Sequence, residues 1–316
     1  MRKIIMTAVL ALMGGSLTAG EFDASTVSSE ATWVMHMDLE SWRESTVSTY
    51  MLNKMKEDDN AATMTAIQEK FKLDPHKDLA SFTVYGAGKD KKKATTIISG
   101  NFDVNHLTGL MKEDEGYEQL VHDGYTVHQV SGCGGKRNNG NSFVSFDGNG
   151  RLVMSQDKES LATALDVLSG KADSMTQKSK IEWINEAKGT HMFMACADSA
   201  EIEGQAELGF NSAIAKQATS GYVSFGETDG QFEGVLVMDT ESAEMATQLG
   251  SIIQGMAAMA MMNAQQNPEM AEFAKSVKVA ADEKVVVMTM DLPSTSITNM
   301  LEKMKSRQFK RQMPRR

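Results

Sequence analysis

Apolar and polar residues follow two different periods along this chain. Runs that alternate at every second residue predict strands, and apolar spacings of three or four predict helices. The elements predicted before residue 170 are a strand at residues 33–39, hairpins at 80–100, 117–130 and 142–154, and helices at 40–71, 103–111 and 158–168. Asp123-Gly124, at the centre of the second hairpin, is a strong signal for a two-residue turn.

The second part of the chain repeats the order strand, helix, hairpin, helix, hairpin. Its predicted elements are a strand at 191–196, helices at 199–216 and after Asp239, and hairpins that turn at Asp229-Gly230 and Asp282-Glu283. We therefore expect an α+β fold of two similar halves, each made of antiparallel hairpins with helices packed on one sheet face. The two repeats are predicted to cover residues 21–175 and 176–302.

The first twenty residues have the build of a secretory signal peptide. Arg2 and Lys3 precede an apolar stretch at residues 4–13, and small residues follow up to Gly20. We expect cleavage near Gly20 and a mature protein that is exported, either periplasmic or secreted; a retained N-terminal anchor is the alternative. The most apolar later stretch, residues 252–262, is about half the length of a membrane span. A soluble mature chain without a transmembrane segment is therefore expected.

Charge is distributed unevenly along the sequence. The formal net charge is −10, yet residues 303–316 contain seven Lys or Arg and no acidic residue. Nucleic acid is not an expected partner, because phosphate binding needs clustered positive charge over a binding face. The basic C-terminal tail at 303–316 is predicted either to make weak contact with an anionic surface or to be a solvated end of the chain.

The chain contains two cysteines, Cys133 and Cys196. In an oxidising compartment they could form a disulfide that ties the two halves together. The alternative is a pair of thiols, one of them buried in an apolar strand. The sequence leaves both possibilities open.

No arrangement of residues in the sequence specifies a reaction. The nucleophile, zinc, P-loop and dinucleotide motifs are absent, and we predict no cofactor, no metal site and no catalytic residue. His122 and His128 share a hairpin, but a turn at Asp123-Gly124 pairs His122 with Tyr125 and places the two imidazoles on opposite sheet faces. A hydrolase that uses scattered carboxylates, or His36 with Asp38, is kept as the alternative from another class.

Methionine is unusually common, at 25 residues. Helical spacing after Asp239 produces an apolar stripe, for which a core role is the simplest explanation. The stripe could also contact an apolar ligand or a protein partner between the halves, and the residues predicted for this are Met245, Leu249, Ile252, Met256 and Met259. Copper binding through thioether sulfur is a further alternative.

Three segments resemble a family of uncharacterised exported bacterial proteins. They are residues 33–43 (Trp-Val-Met-His-Met-Asp-Leu-Glu-Ser-Trp-Arg), residues 166–170 (Asp-Val-Leu-Ser-Gly) and the strand–Asp–helix pattern at 236–245. The resemblance implies export and a fold that covers most of the mature chain. It implies no catalytic residue and no specific ligand. The sequence therefore favours an exported binding protein over an enzyme.

Overall fold

In the computed structural model, the described residues are 20–57, 60–131, 140–177, 192–198, 217–262 and 268–312. The strands are β1 Trp33–Asp38, β2 Leu79–Gly86, β3 Thr95–Gly100, β4 Glu118–His122, β5 Tyr125–Ser131, β6 Asn141–Phe146, β7 Arg151–Ser155, β8 Phe193–Asp198, β9 Ala218–Thr228, β10 Gln231–Thr240, β11 Lys278–Asp282 and β12 Val285–Pro293. The helices are α1 Leu39–Glu44, α2 Thr46–Glu57, α3 Asn60–Phe71, α4 Val104–Lys112, α5 Lys158–Leu168, α6 Ala243–Met262, α7 Pro268–Ser276 and α8 Ser294–Gln312.

The twelve strands form one sheet in the order β11-β12-β10-β9-β8-β1-β2-β3-β7-β6-β5-β4. Every neighbouring pair is antiparallel. Helices and a large antiparallel sheet confirm the α+β class. The pairing of β1 with β8 makes the sheet continuous, although these strands are separated by more than 150 residues.

Helices pack on both faces of the sheet, so the expectation of one covered face is wrong. Leu161 and Leu165 of α5 belong to a core cluster with Val34 and Val237. Leu249 of α6 belongs to a second cluster with Met238 and Val286. Val237 and Met238 are neighbours on β10 and point to opposite faces. The central strands carry apolar residues at consecutive positions, as strands covered on both sides do.

We call the two sides of the central strands the sealed face and the open face. Val34, Tyr85 and Ile97 lie on the sealed face and are at most 4% exposed. Helix α5, the 3₁₀ segment Ala24–Thr26 and Met175 cover them. The open face carries Met35 and Phe82, which are about two-fifths exposed.

Local chemistry explains where several elements depart from expectation. The helix predicted at 40–71 is divided at Ser45, whose backbone is extended and whose Oγ accepts a hydrogen bond from Ser48 N at 3.0 Å. Ser45 therefore caps the start of α2, a role that serine favours. Helix α7 begins at Pro268, a residue that suits a first helical position and that the periodicity did not indicate.

One other expectation is corrected near the C-terminus. Asp282 pairs directly with Val285, so the last hairpin turns at Glu283 and Lys284, one residue later than predicted. Helix α8 extends into the basic tail as far as Gln312, and the proposed contact of the tail with an anionic surface stays a prediction. The helix predicted at 199–216 lies outside the described residues, as does Cys133.

Candidate functional site

A row of apolar side chains crosses the open face at the centre of the sheet. Phe82, Met37, Phe193 and Phe225 are direct partners across β2, β1, β8 and β9. The rings of Phe193 and Phe225 stack with centroids 6.0 Å apart, and Phe232 continues the stack at 5.9 Å. We call these five residues the central row. Direct strand partners lie on the same face, so the row is continuous.

Exposure distinguishes this surface from the opposite side of the same strands. Phe82 is 39% exposed and Met35, in the adjacent row, is 40% exposed, whereas Val34 and His36 on the sealed face are 1% and 2% exposed. The other members of the central row are half-buried. An exposed apolar surface of this kind is typical of a contact site for another molecule.

Helix α2 begins next to Phe232, at one end of the central row. Glu227, the direct partner of Phe232, accepts hydrogen bonds from Thr46 N at 2.9 and 3.0 Å and from Thr46 Oγ1 at 2.5 Å. This carboxylate satisfies the first amide of α2 and lies where the positive end of the helix dipole favours it. Helix α2 therefore begins beside the row, and the carboxylate at this border is hydrogen-bonded to the start of the helix.

The structure separates the predicted ligand-binding residues of α6 into two groups. Leu249 is fully buried and packs on Met238 and Val286. Ile252, Met256 and Met259 are 41%, 44% and 60% exposed, and Met245 is half-buried. On a helix, Met245, Ile252, Met256 and Met259 form one stripe beside the packed side. We call these four residues the methionine stripe. Leu249 is a core residue.

His36 and Asp38, the pair named for a hydrolase, are held inside the fold. His36 Nδ1 lies 2.8 Å from Thr83 Oγ1 and its Nε2 lies 2.9 Å from the Gly20 carbonyl. Asp38 accepts hydrogen bonds from Glu40 N and Ser41 N, both at 2.9 Å, and caps α1. Both side chains are at most 3% exposed, so neither can contact a substrate.

The two hairpin histidines lie as the turn predicts. His122 pairs with Tyr125 and His128 with Gln119, which confirms the expected register and places the imidazoles on opposite faces. His128 is buried beside Tyr117, whose hydroxyl lies 3.0 Å from Nδ1. Burial lowers the pKa of His128, and the nearby positive charge of Lys112 lowers it further. A metal site that combines the two histidines is therefore excluded.

A different group of possible metal ligands lies at the tip of this hairpin. His122, Asp123 and Asp166 have ligand atoms within 4.8 Å of one another, with His122 Nε2 2.8 Å from Asp166 Oδ1. Lys171 Nζ lies 2.8 Å from Asp123 Oδ2, and this hydrogen bond and positive charge lower the pKa of Asp123. The ion pair accounts for the arrangement without a metal. The sequence did not indicate it, because Asp166 comes from α5, 44 residues after His122.

A polar cleft of about 520 Å³ lies on the sealed side, at the edge of the covering segments. Carboxylates of Glu21, Asp23, Glu40 and Asp78 line it. Arg151, also in the lining, donates from Nε to Asp147 Oδ2 at 2.6 Å. Lys77, the second cation of the lining, lies 3.3 Å from Asp74 Oδ2. The cleft therefore offers acidic oxygens and two cations that are each paired with an aspartate.

The overall structure resembles a known one, although the sequence does not. No protein-family model matches the chain, and no curated protein sequence matches it. The fold is similar to that of TP0453. Crystal form III of TP0453 superposes with a TM-score of 0.50 and 8% identity over 90% of this chain and 100% of that chain. Crystal form I gives a TM-score of 0.49 at 8% identity, over 90% of this chain and 99% of that one. At this identity the likeness concerns the fold alone.

None of the helices in the described part of the chain combines the length and the apolar character needed to cross a membrane.

Proposed function

We propose that the protein is an exported, non-enzymatic binding protein that holds an apolar ligand against the central row. The exposed apolar surface at the junction of β1 and β8 carries this proposal. Phenylalanine rings offer flat apolar contact area, and methionine side chains adapt their shape to different ligands. An acyl chain or a fused-ring lipid has the chemistry that such a surface would accept.

The proposed site lies between two halves that we infer to be repeats. From the junction outward, the strand order is β1-β2-β3-β7-β6-β5-β4 on one side and β8-β9-β10-β12-β11 on the other, so the first side has one additional hairpin at its edge. On both sides the opening strand is followed by a hairpin, β2-β3 or β9-β10. A later hairpin, β6-β7 or β11-β12, then places its second strand beside the second strand of the first hairpin. Ligand sites often lie where two such units meet. The position of the central row therefore agrees with a ligand held between halves.

Binding of a fluorescent fatty acid tests the proposal. We expect cis-parinaric acid to bind the purified mature protein, and Phe82→Gln to weaken the binding about tenfold or more, because a buried aromatic ring contributes roughly 1.5–3 kcal/mol. Val121→Gln is the matched control, since Val121 is 74% exposed on the edge strand β4. Equal affinity for Phe82→Gln and Val121→Gln, with both variants folded by circular dichroism, would contradict the proposal.

The same titration tests whether the methionine stripe takes part. If the ligand extends onto α6, Met256→Gln combined with Met259→Gln should weaken binding as well. An unchanged affinity would remove α6 from the site and leave the central row as the binding surface. Both substituted side chains are exposed, so the double variant should fold normally.

Two alternatives keep an observation in their favour. A hydrolase would use the carboxylates of the polar cleft, and Asp78→Asn should then abolish turnover of chromogenic ester or glycoside substrates. Copper binding would use the exposed sulfurs of Met256 and Met259. No turnover by the unaltered protein would exclude hydrolysis of the substrates tested, and no Cu(I) uptake under reducing conditions would exclude the copper function.

A further inference from the structure

The backbone of Gly20 is held on both sides by buried or half-buried side chains. Its N–H donates to Glu40 Oε2 at 3.1 Å, and its carbonyl lies 2.9 Å from His36 Nε2. A carbonyl can only accept, so Nε2 carries the proton and donates it. His36 is 2% exposed, and loss of the Gly20 carbonyl would leave a buried donor without this partner.

The pocket around Gly20 also requires a glycine. A Cβ placed on Gly20 would lie 2.7 Å from Cγ of Asp38 and would overlap the nearer carboxylate oxygen. Asp38 cannot move aside easily, because its two oxygens accept hydrogen bonds from Glu40 N, Ser41 N and Ser41 Oγ at 2.7–2.9 Å. The site therefore fits the backbone of this one residue closely.

The residues that follow Gly20 belong to the core. The ring of Phe22 contacts His36 edge-on with centroids 5.3 Å apart. Val27 is fully buried, and its carbonyl accepts a hydrogen bond from Met175 N at 2.7 Å. The folded protein therefore uses the chain from Gly20 onward, whereas the signal-peptide pattern ends at this same position.

We propose that the export leader is removed between Ala19 and Gly20, and that the Glu40 carboxylate is the receptor for the new α-ammonium group of Gly20. Water adds across the Ala19–Gly20 peptide bond; the leader departs with the Ala19 carboxylate, and the Gly20 nitrogen takes up a proton. The contact from Gly20 N to Glu40 then joins an ammonium to a carboxylate, and an ion pair of this kind is stronger than the hydrogen bond from an uncharged amide to the same carboxylate. Cleavage one residue later would remove the carbonyl that His36 Nε2 contacts.

The inference rests on the proposed export, and mass spectrometry of the protein recovered from a bacterial periplasm or medium separates the two. We expect a mature chain that begins at Gly20. A chain that begins at Glu21, or at another residue, would overturn the inference but support export. Protein that is found in the cytoplasm alone, with residues 1–19 still attached, would overturn both.

A comparison of stability tests the role of the ammonium group. In the mature protein, Glu40→Gln should lower the melting temperature by roughly 2–4 °C, as expected for a loss near 1 kcal/mol in a chain of this size. In a protein that retains Ala19 and an initiator Met, the same substitution should have at most half that effect, since the ammonium is displaced. Glu30→Gln, an exposed change in the same segment, is the control. Equal effects of Glu40→Gln in the two backgrounds would overturn the receptor role.

Discussion

His128 is a titratable side chain inside an aromatic cluster. Its ring lies 6.0 Å from that of Tyr117 and 6.4 Å from that of Phe146, between centroids. Burial, and then the charge of Lys112, lowers the pKa of His128 in the folded protein. Below its usual pKa of about 6.5, the unfolded chain therefore takes up a proton at this position more readily than the folded one.

This lowered pKa predicts that the free energy of unfolding decreases as the pH falls. As the pH drops below about 6.5, unfolding is favoured by the additional proton bound to the unfolded state, until the folded pKa is passed. His128→Gln should remove this part of the loss, so the difference in unfolding free energy between pH 7.5 and pH 5.5 should be smaller in the variant. Urea unfolding at the two pH values measures it. A pH dependence identical to that of the unaltered protein would contradict the assigned environment.

At the scale of elements, helix α6 shows that a periodic apolar stripe can be wider than the packed side of a helix. Leu249 contacts the sheet while Met256, two turns later, is 44% exposed. Leu249→Ala should lower the free energy of unfolding by about 2–5 kcal/mol, because it leaves a cavity in a packed cluster. Met256→Ala should change it by no more than about 0.5 kcal/mol. Similar losses in the two variants by urea unfolding would mean that the stripe is buried as a whole.

The last hairpin carries a residue in an unfavourable backbone conformation. Glu283 has a φ of 49°, in the left-handed region, where a side chain with a Cβ costs about 1 kcal/mol and asparagine is better tolerated. Glu283→Asn should therefore raise the free energy of unfolding by several tenths of a kcal/mol. Asp282→Asn, next to it in strand β11, is the control and should have no comparable effect. A loss of stability in Glu283→Asn would contradict the turn geometry.

Elements governed by local signals could be predicted from the sequence, and those governed by distant partners could not. The Asp123-Gly124 turn determines the register of β4 and β5, because both residues adopt positive φ angles of 47° and 90°. The last hairpin turns at Glu283 and Lys284 and has no glycine there. Because this local signal is missing, the sequence pattern predicted the turn one residue too early. Helix α2 begins after Ser45, whose side chain caps it. The spacing of apolar residues carries no information about this cap.

The candidate site belongs to the scale of the whole molecule. Met37 and Phe193 become neighbours through the pairing of β1 with β8. Nothing local in the two strands specifies this pairing across more than 150 residues. Helical periodicity instead predicted a site on α6, because all the residues of its apolar stripe lie within one helix of 20 residues. The sequence predicted a ligand site between the two halves. The residues of the central row could not be predicted, because they become neighbours only in the observed order of the strands.

The continuous core makes a prediction about unfolding of the whole chain. One cluster of buried residues contains Val34 and Leu165 from the first part together with Cys196 and Tyr222 from the second. Neither part could keep this cluster intact alone, so we expect both to unfold in a single transition. Native-state hydrogen exchange should give the same opening free energy for peptides from β7 and from β10.

Val34→Ala tests this coupling directly, since Val34 is 1% exposed at the junction of β1 with β2 and β8. Its loss, on the order of 2 kcal/mol, should appear equally in peptides from both parts of the chain. Val121→Ala, on the exposed edge of the sheet, should change neither value by more than about 0.5 kcal/mol. If Val34→Ala lowered protection in β7 while leaving β10 unchanged, the two parts would be separate cooperative units. The pairing of β1 with β8 could then open without unfolding of the whole chain, and the central row would lie at the point where the two parts separate.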